Sequence, residues 1–255
     1  MTQTQDSPST SEVEEPQEPE EPKGAFIYEP PSDEVRQRYA EVFALTEPLP
    51  DRLLKTLFDR ACALGALAAT WPVFVTLFVA NAVEGTFIPE HHGDFIISYK
   101  AVSKGRVFPK YKIRVIKSES IDPRAANAGD WHGFAAEWTP ESRTHVGALT
   151  KKLYLDELPQ LLNVLLGHMS MVGPRPLAQH HYERDLAQGN VARKLIKAGL
   201  LGPNQALKGT DRFGDPSVEH DYVEKYMKLG PLALLVHDLK IIAKCLKVMA
   251  EAKGL

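Results

Sequence analysis

The residues of this 255-residue chain most able to do chemistry are two adjacent carboxylates, Asp156 and Glu157, in the run Leu155-Asp156-Glu157-Leu158-Pro159-Gln160. A short apolar stretch, 161–166, follows and closes at Gly167. A second run, Met169-Ser170-Met171-Val172-Gly173-Pro174-Arg175-Pro176, comes directly after. Proline is favoured in the first turn of a helix and glycine just past its end. The carboxylates are therefore expected at a helix N-terminus, where the macrodipole favours their ionised form. An ionised, partly desolvated Asp is a nucleophile toward an electron-poor centre, and its neighbour suits a hard cation. On composition alone, simple capping of the helix explains the same pair. The surrounding sequence tips the balance toward chemistry.

An uncharged run, 61–83, begins directly after Arg60. It has the length of a bilayer-crossing helix, which needs about 20 residues. Pro72 lies near its middle, and a mid-helix proline removes a hydrogen bond and crowds the preceding turn, so a break is expected there. Two membrane arrangements follow, a kinked span or a re-entrant hairpin that enters one leaflet and returns. Thr70 and Thr76 flank Pro72 and are placed to serve backbone groups that lipid cannot satisfy. A buried helix of a soluble protein is the third reading, and the run is long and apolar all round for that role.

These features together resemble the small monotopic phosphoglycosyl transferases, the bacterial sugar transferase family. The similarity extends from about residue 52 to 247. Arg52, Asp59-Arg60 and the apolar run with Pro72 resemble the family's membrane helix. Phe108-Pro109-Lys110-Tyr111-Lys112-Ile113-Arg114 is similar to its Phe-x-x-Tyr-Lys-Phe-Arg segment. The runs around Asp156, Asn163, Gly167 and Met169–Pro176 match its central signature almost residue for residue. Gly202-Pro203-Asn204-Gln205 and Asp238-Leu239-Lys240 resemble its C-terminal part. Three departures stand out. Lys151 replaces the usual Arg, keeping the charge without the planar fork that grips phosphate twice. His168 stands where Asp is usual, and the usual glutamine-and-arginine hairpin over 99–105 is degraded.

The resemblance implies transfer of a sugar-1-phosphate from a UDP-sugar to a polyprenyl phosphate, with release of UMP, as the initiating step of polysaccharide or glycoconjugate synthesis. Asp156 is then the nucleophile, and Glu157, with Asp156, the holder of Mg2+. Arg175, set between two prolines, offers a bidentate donor to phosphate or uracil oxygens, with Lys151, Lys112 and Arg114 as further phosphate contacts. The implied partners are the UDP-sugar, the polyprenyl phosphate and membrane lipids, with a homo-oligomer and downstream glycosyltransferases as further possibilities. A catalytically impaired relative, acting as a membrane-bound scaffold or regulator, is the alternative that Lys151 and His168 motivate.

Charge agrees with a membrane setting. Residues 1–51 hold 13 acidic and 3 basic side chains, whereas 52–255 hold 27 basic and 20 acidic. A cationic body suits an anionic bilayer surface and phosphorylated substrates. No nucleic-acid motif accompanies it, so nucleic acid is not an expected partner. Basic residues precede the apolar run (Arg52, Lys55, Arg60) and follow it (Lys100, Lys104, Arg106), which favours both ends on the cytoplasmic side of a bacterial inner membrane. Cys62 and Cys245 have no partner at metal or redox spacing and fit reduced thiols. The pair His180-His181 reads as a surface pair, with no carboxylate cluster to join it into a metal site.

The elements that must position these residues give an α+β, mainly helical fold: a re-entrant membrane helix, then a compact cytoplasmic domain with a small β-hairpin and interfacial amphipathic helices. Residues 1–24, rich in Glu, Pro, Ser and Thr, are expected to be a disordered acidic tail. Residues 25–51 form an extension with one helix capped by Ser32 and bearing Val35, Tyr39, Val42 and Phe43. The membrane helix takes 52–84 and the catalytic domain 85–255. A hairpin is expected over 95–99 and 107–115 around Gly105. A loop-like stretch is expected over 121–144, whose Trp131 and Trp138 serve as core, interfacial anchors or lid, with core packing as the default. Helices are expected over 177–188, 191–198, 217–229 and 232–250. In the last, Lys240, Lys244 and Lys247 are placed opposite Leu239, Ile242 and Leu246, as an interfacial or an ordinary surface helix.

Overall fold

Helices α1 (Asp33–Arg38) and α2 (Ala40–Phe43) open the computed structural model, which describes residues 28–251. The acidic tail expected over 1–24 lies outside the described residues. Ser32 caps α1 through its hydroxyl, as the sequence indicates, but the single expected helix is broken at Tyr39, whose backbone leaves the helical region. The break turns Tyr39 and Val42 together into the core.

The long apolar run is helix α3, Leu53–Phe87, 35 residues, which at 1.5 Å per residue is about 52 Å. It continues through Pro72, with the Thr70 hydroxyl donating to the Ala66 carbonyl at 2.7 Å and that of Thr76 to the Pro72 carbonyl at 2.8 Å. Its most apolar stretch is only 11% buried inside the protein. A helix of the soluble core would bury that surface, whereas this one is long and apolar enough to associate with a membrane.

Both ends of α3 are fastened to one body. Near its start, Lys55 donates to Asp238 at 2.7 Å, and Asp59 accepts from the Ser170 hydroxyl at 2.6 Å. Near its end, Glu84 accepts the backbone N–H groups of His145 and Val146 at 2.7 and 3.1 Å and meets His91 at 2.8 Å. Between them, Phe74 and Phe78 set their rings edge-on against Phe95.

The body is built on a hairpin, β1 (Ile96–Ser103) with β2 (Arg106–Ile113). Lys104 and Gly105 form its two-residue turn with φ of 53° and 68°. Positive φ at both turn residues matches the right-handed twist of the strands, and glycine takes the second at no steric cost. Strand β4 (Leu177–Ala178) completes an antiparallel sheet in the order β2-β1-β4, while β3 (Ser170–Val172) and β5 (Gly199–Leu201) form a separate parallel pair. Where that pair meets, a Cβ on Gly199 would lie 2.0 Å from the Gly173 nitrogen. Only two glycines let the backbones approach so closely.

The stretch expected as loop over 121–144 is more ordered. Asp122 caps α4 (Pro123–Ala128) and Pro123 takes its first position, the helix ends at Gly129, and a 3-10 segment spans Trp131–Trp138. Six residues are too few to show helical periodicity, which is why the cap and proline signals carry it. Trp131 is buried and Trp138 half-exposed. Helices α5 (His145–Lys152) and α6 (Gln160–Leu165) frame the central signature. Helices α7 (Gln179–Ala187), α8 (Ala192–Leu195), α9 (Pro216–Lys228) and α10 (Pro231–Ala250) complete the chain. The helix expected over 191–198 stops at Leu195 because the chain must extend to enter β5.

In α10 the buried stripe is Leu234, Asp238, Ile241 and Cys245. Leu239 and Leu246, expected opposite the lysines, are instead exposed among them, as are Leu232 and Val236. Apolar and basic side chains share the outer face.

Candidate active site

Asp156 and Glu157 lie in a 3-10 turn, Leu155–Glu157, just ahead of α6. Pro159 stands at the helix entrance, and no side chain caps α6. The capping explanation therefore fails for this pair. Asp156 is 2% exposed, and a buried carboxylate demands partners. Tyr154, the residue before the turn, is held at φ 57° and ψ 19°. A left-handed backbone at a bulky residue costs about 1–3 kcal/mol and gathers at functional sites. The Tyr154 hydroxyl oxygen is buried with no hydrogen-bond partner among the described residues.

Strand β2 delivers the cations. Lys110 and Lys112, two apart, share one face of the strand. Strand β2 is a sheet edge, and its open backbone groups are taken by Asn163 of α6. That side chain accepts from the Tyr111 N–H at 3.2 Å and donates to the Pro109 carbonyl at 2.8 Å. A fully buried amide thus locks the strand against the helix that follows the carboxylates. Lys112 Nζ lies 2.7 Å from Glu137 and 3.1 Å from Asp156 Oδ2. From the last turn of α5, Lys151 Nζ lies 3.1 Å from Glu137 and 3.8 Å from Asp156, and 5.2 Å from the Trp138 ring. Arg175 closes a short ion pair with Glu157.

Burial and neighbours tune these groups in opposite directions. Burial opposes ionisation of Glu137, but Lys112 and Lys151 override it and hold the carboxyl well below the usual range. Burial likewise opposes the Glu157 charge, and Arg175, then Lys110 and Lys112, reverse it downward. Lys112 is disfavoured by burial yet raised well above the ordinary lysine range by Glu137 and Asp156. Lys151, also desolvated, has Lys112 as a like-charged neighbour and longer pairs, and is lowered. Lys110 has no carboxylate in ion-pair reach among the described residues. Its amine sits 5.6 Å from the Tyr99 ring, and burial, then the nearby Arg175, pushes it down to about 7.

Of the residues singled out from sequence, Asp156, Glu157, Lys112, Lys151 and Arg175 are brought together. Arg114 is not. Its guanidinium is buried and donates to the Asp94, Ile116 and His91 carbonyls at 2.7, 2.5 and 2.8 Å, so it cross-ties backbone instead of contacting phosphate. Arg114 lies one residue past the end of β2, outside the strand that carries Lys110 and Lys112. Pro72 lies within α3, which is helical on both sides of it, so the break expected there does not end the helix. His168 packs beside Phe108 at 5.7 Å and near Asn163. Glu137 and Lys110 are the residues that sequence reading missed. Glu137 lies in the stretch read as loop, and the only available signal for Lys110 was its spacing from Lys112.

Behind Arg175 a second buried network fixes its loop. Arg193 donates to the Arg175 carbonyl at 2.9 Å and pairs with Asp185 and Glu219, both at 2.7 Å, under the Tyr28 ring.

Residues 50–252 match the model of the family described as bacterial sugar transferase. The chain is 30% identical over 203 residues to the undecaprenyl-phosphate galactose phosphotransferase of Salmonella typhimurium, covering 76% of this chain and 41% of that protein. It is 32% identical over 158 residues to the UDP-glucose:undecaprenyl-phosphate glucose-1-phosphate transferase of Xanthomonas campestris, covering 58% and 28%. A Klebsiella pneumoniae protein of that same name is 51% identical over 104 residues, 39% of this chain and 22% of the relative. The chain spans less than half the length of these relatives.

Proposed function

Because the chain belongs to the bacterial sugar transferase family, we propose that it transfers a sugar-1-phosphate from a UDP-sugar to a polyprenyl phosphate, with Asp156 as the covalent nucleophile. The observation that carries this reading is a buried Asp156, excluded from helix capping, gripped by Lys112 and adjoined by the Glu157–Arg175 pair. A carboxylate oxygen of Asp156 attacks the sugar-proximal phosphorus, and the bond from that phosphorus to the bridging oxygen breaks. UMP departs with the electron pair, leaving an aspartyl phosphosugar. An oxygen of the polyprenyl phosphate then attacks the same phosphorus and releases the carboxylate. Lys112, Lys151 and Arg175 supply positive charge where phosphate charge develops.

The hard oxygens of Glu157 and Asp156 fit Mg2+, which when bound neutralises phosphate charge. Four basic groups (Lys110, Lys112, Lys151, Arg175) face three carboxylates (Glu137, Asp156, Glu157) in the pocket. In such company Glu157 and Asp156 would hold a free dication only weakly, and its charge would serve the diphosphate of a bound donor.

The attachment of both ends of α3 to one body supports a re-entrant or in-plane helix over a span, and with it a catalytic body on the cytoplasmic face of the inner membrane. The mixed leucine and lysine face of α10 supports a second contact with anionic headgroups. Lys151 reaches both Glu137 and Asp156, which supports an active enzyme over the impaired-scaffold reading.

Incubation of the purified protein with a panel of sugar-labelled UDP-sugars and magnesium, without acceptor, tests the mechanism. Label should attach to the peptide containing Asp156, leave on hydroxylamine treatment, and pass to added undecaprenyl phosphate. Asp156→Asn should lose labelling and turnover while remaining folded. Turnover that survives in that variant would sink the covalent route.

A further inference from the structure

We propose that Asp130, His132 and His180 form a second metal site, apart from the carboxylate pair, that takes a borderline divalent ion of the zinc class. The three residues come from two chain segments, the entrance of the 3-10 stretch and the first turn of α7. Each offers one donor atom, and the three donors lie within 4.8 Å of one another. The pair His180-His181 reads from sequence as a surface pair, and the fold corrects this. His181 is 4% exposed and packs on Trp131 with ring centres 4.8 Å apart, while His180 lies 4.3 Å from the His132 ring.

Two imidazoles and one carboxylate are the donor set of zinc, nickel or cobalt, whereas magnesium and calcium prefer all-oxygen sites. His132 Nδ1 and Asp130 Oδ1 are already 3.0 Å apart. That contact is a hydrogen bond; an ion would displace its proton, and tetrahedral bonds near 2.0 Å separate neighbouring donors by about 3.3 Å, so the pair needs to open by only about 0.3 Å. The remaining donor needs to close by about 1.5 Å at most, a side-chain adjustment for half-buried rings. Asp130 is oriented locally, because the same oxygen accepts the His132 backbone N–H at 3.0 Å. A fourth position falls to water.

The other histidine–carboxylate cluster, Glu84 with His91 and His145, has two such contacts, at 2.8 and 3.1 Å, but both of its carboxylate oxygens already accept backbone N–H groups at the start of α5, where Glu84 fastens α3 to the body. The Asp130 site also has a place in the mechanism. The segment 131–138 carries Glu137, and α7 follows the loop of Arg175 by three residues. A bound ion would pin these two limbs of the catalytic pocket to each other.

The test is metal binding by the full chain in detergent or nanodiscs, purified without a polyhistidine tag and held in excess magnesium. Co2+ should bind at one equivalent, give the visible absorption of a low-symmetry site, and quench Trp131 fluorescence. Zn2+ should displace it. His132→Ala, His180→Ala and Asp130→Asn should each weaken Co2+ binding by at least about tenfold. His145→Ala in the other cluster should leave it unchanged, and circular dichroism checks that each variant is folded. Binding that is equal in wild type and all three variants, or lost only in His145→Ala, would overturn the site. Because the readout is binding and not turnover, failure here leaves the transferase reading untouched.

Discussion

At the scale of single residues, charge placement divides catalytic from structural roles. Arg114 belongs to the signature that the chain shares with its family, yet its three hydrogen bonds all go to backbone carbonyls. Arg114→Met should lower stability by about 2–4 kcal/mol, read by thermal or denaturant unfolding, while the KM for donor of the folded fraction stays unchanged. A raised KM at full stability would return Arg114 to the phosphate site. Lys110 gives a pH signature. Its folded pKa, near 7, is below that of an unfolded lysine, so between about pH 7 and 10 the unfolded state binds the extra proton. Stability should therefore rise with pH across that window, the penalty being complete below it. Lys110→Met should flatten the rise and stabilise the protein at pH 7 by about 1–4 kcal/mol. An unchanged pH slope in the variant would show that the amine is not desolvated.

At the scale of elements, buried polar networks hold the membrane helix to the body. Lys55 meets Asp238 of α10, and Asp238 accepts the Tyr222 hydroxyl of α9 at 2.8 Å. Asp238→Ala leaves Lys55 buried without its main partner and should cost about 3–5 kcal/mol, whereas Lys55→Met with Asp238→Leu should recover much of it. Equal loss in single and double variants, by unfolding in detergent, would refute the pairing as the cause. At the other end, Glu84→Ala removes the carboxylate that receives the first N–H groups of α5. It should cost about 1 kcal/mol and reduce turnover through Lys151, with donor KM affected more than kcat. How much of this was legible in sequence follows from the physics. The hairpin turn, the Ser32 cap, the apolar helix and the α6–Gly167 boundary are local signals, and they were readable. The partnership of Asp59 with Ser170, the reach of Asn163 to β2 and the place of Glu137 between two lysines are long-range pairings that no periodicity encodes. Motif residues such as Asp59, Asn163 and Asp238 drew attention without disclosing that their work is to fasten elements together.

At the scale of the whole molecule, an apolar helix lies along a cationic body, with exposed Trp71, Phe78 and Val79 on the helix and Leu232, Val236 and Leu239 on α10. Such patches mark a membrane contact. With Cys62→Ser and Cys245→Ser in place, single cysteines at Glu47 and Glu119, on either side of α3, should both react with an impermeant reagent only from the cytoplasmic face. Labelling from opposite faces would establish a span and detach one end of the helix from the body. Binding to vesicles should be stronger with anionic lipid and fall with salt, as expected for the α10 lysines. Salt-insensitive binding would leave the apolar helix as the sole anchor.

The distance along the chain between Lys55 and Asp238 also sets an order of events during synthesis. Their separation is 183 residues. At ribosomal rates of about 5–20 residues per second, the helix waits on the order of ten to forty seconds before its partner exists. Throughout that interval the nascent chain carries a greasy helix whose ammonium has no Asp238 to receive it. The bilayer surface is the natural place to wait, with the ammonium at the headgroups and the apolar face below. Insertion would then precede folding, and a ribosome stalled before Asp238 should leave a chain that is membrane-bound, protease-sensitive and a substrate for quality control.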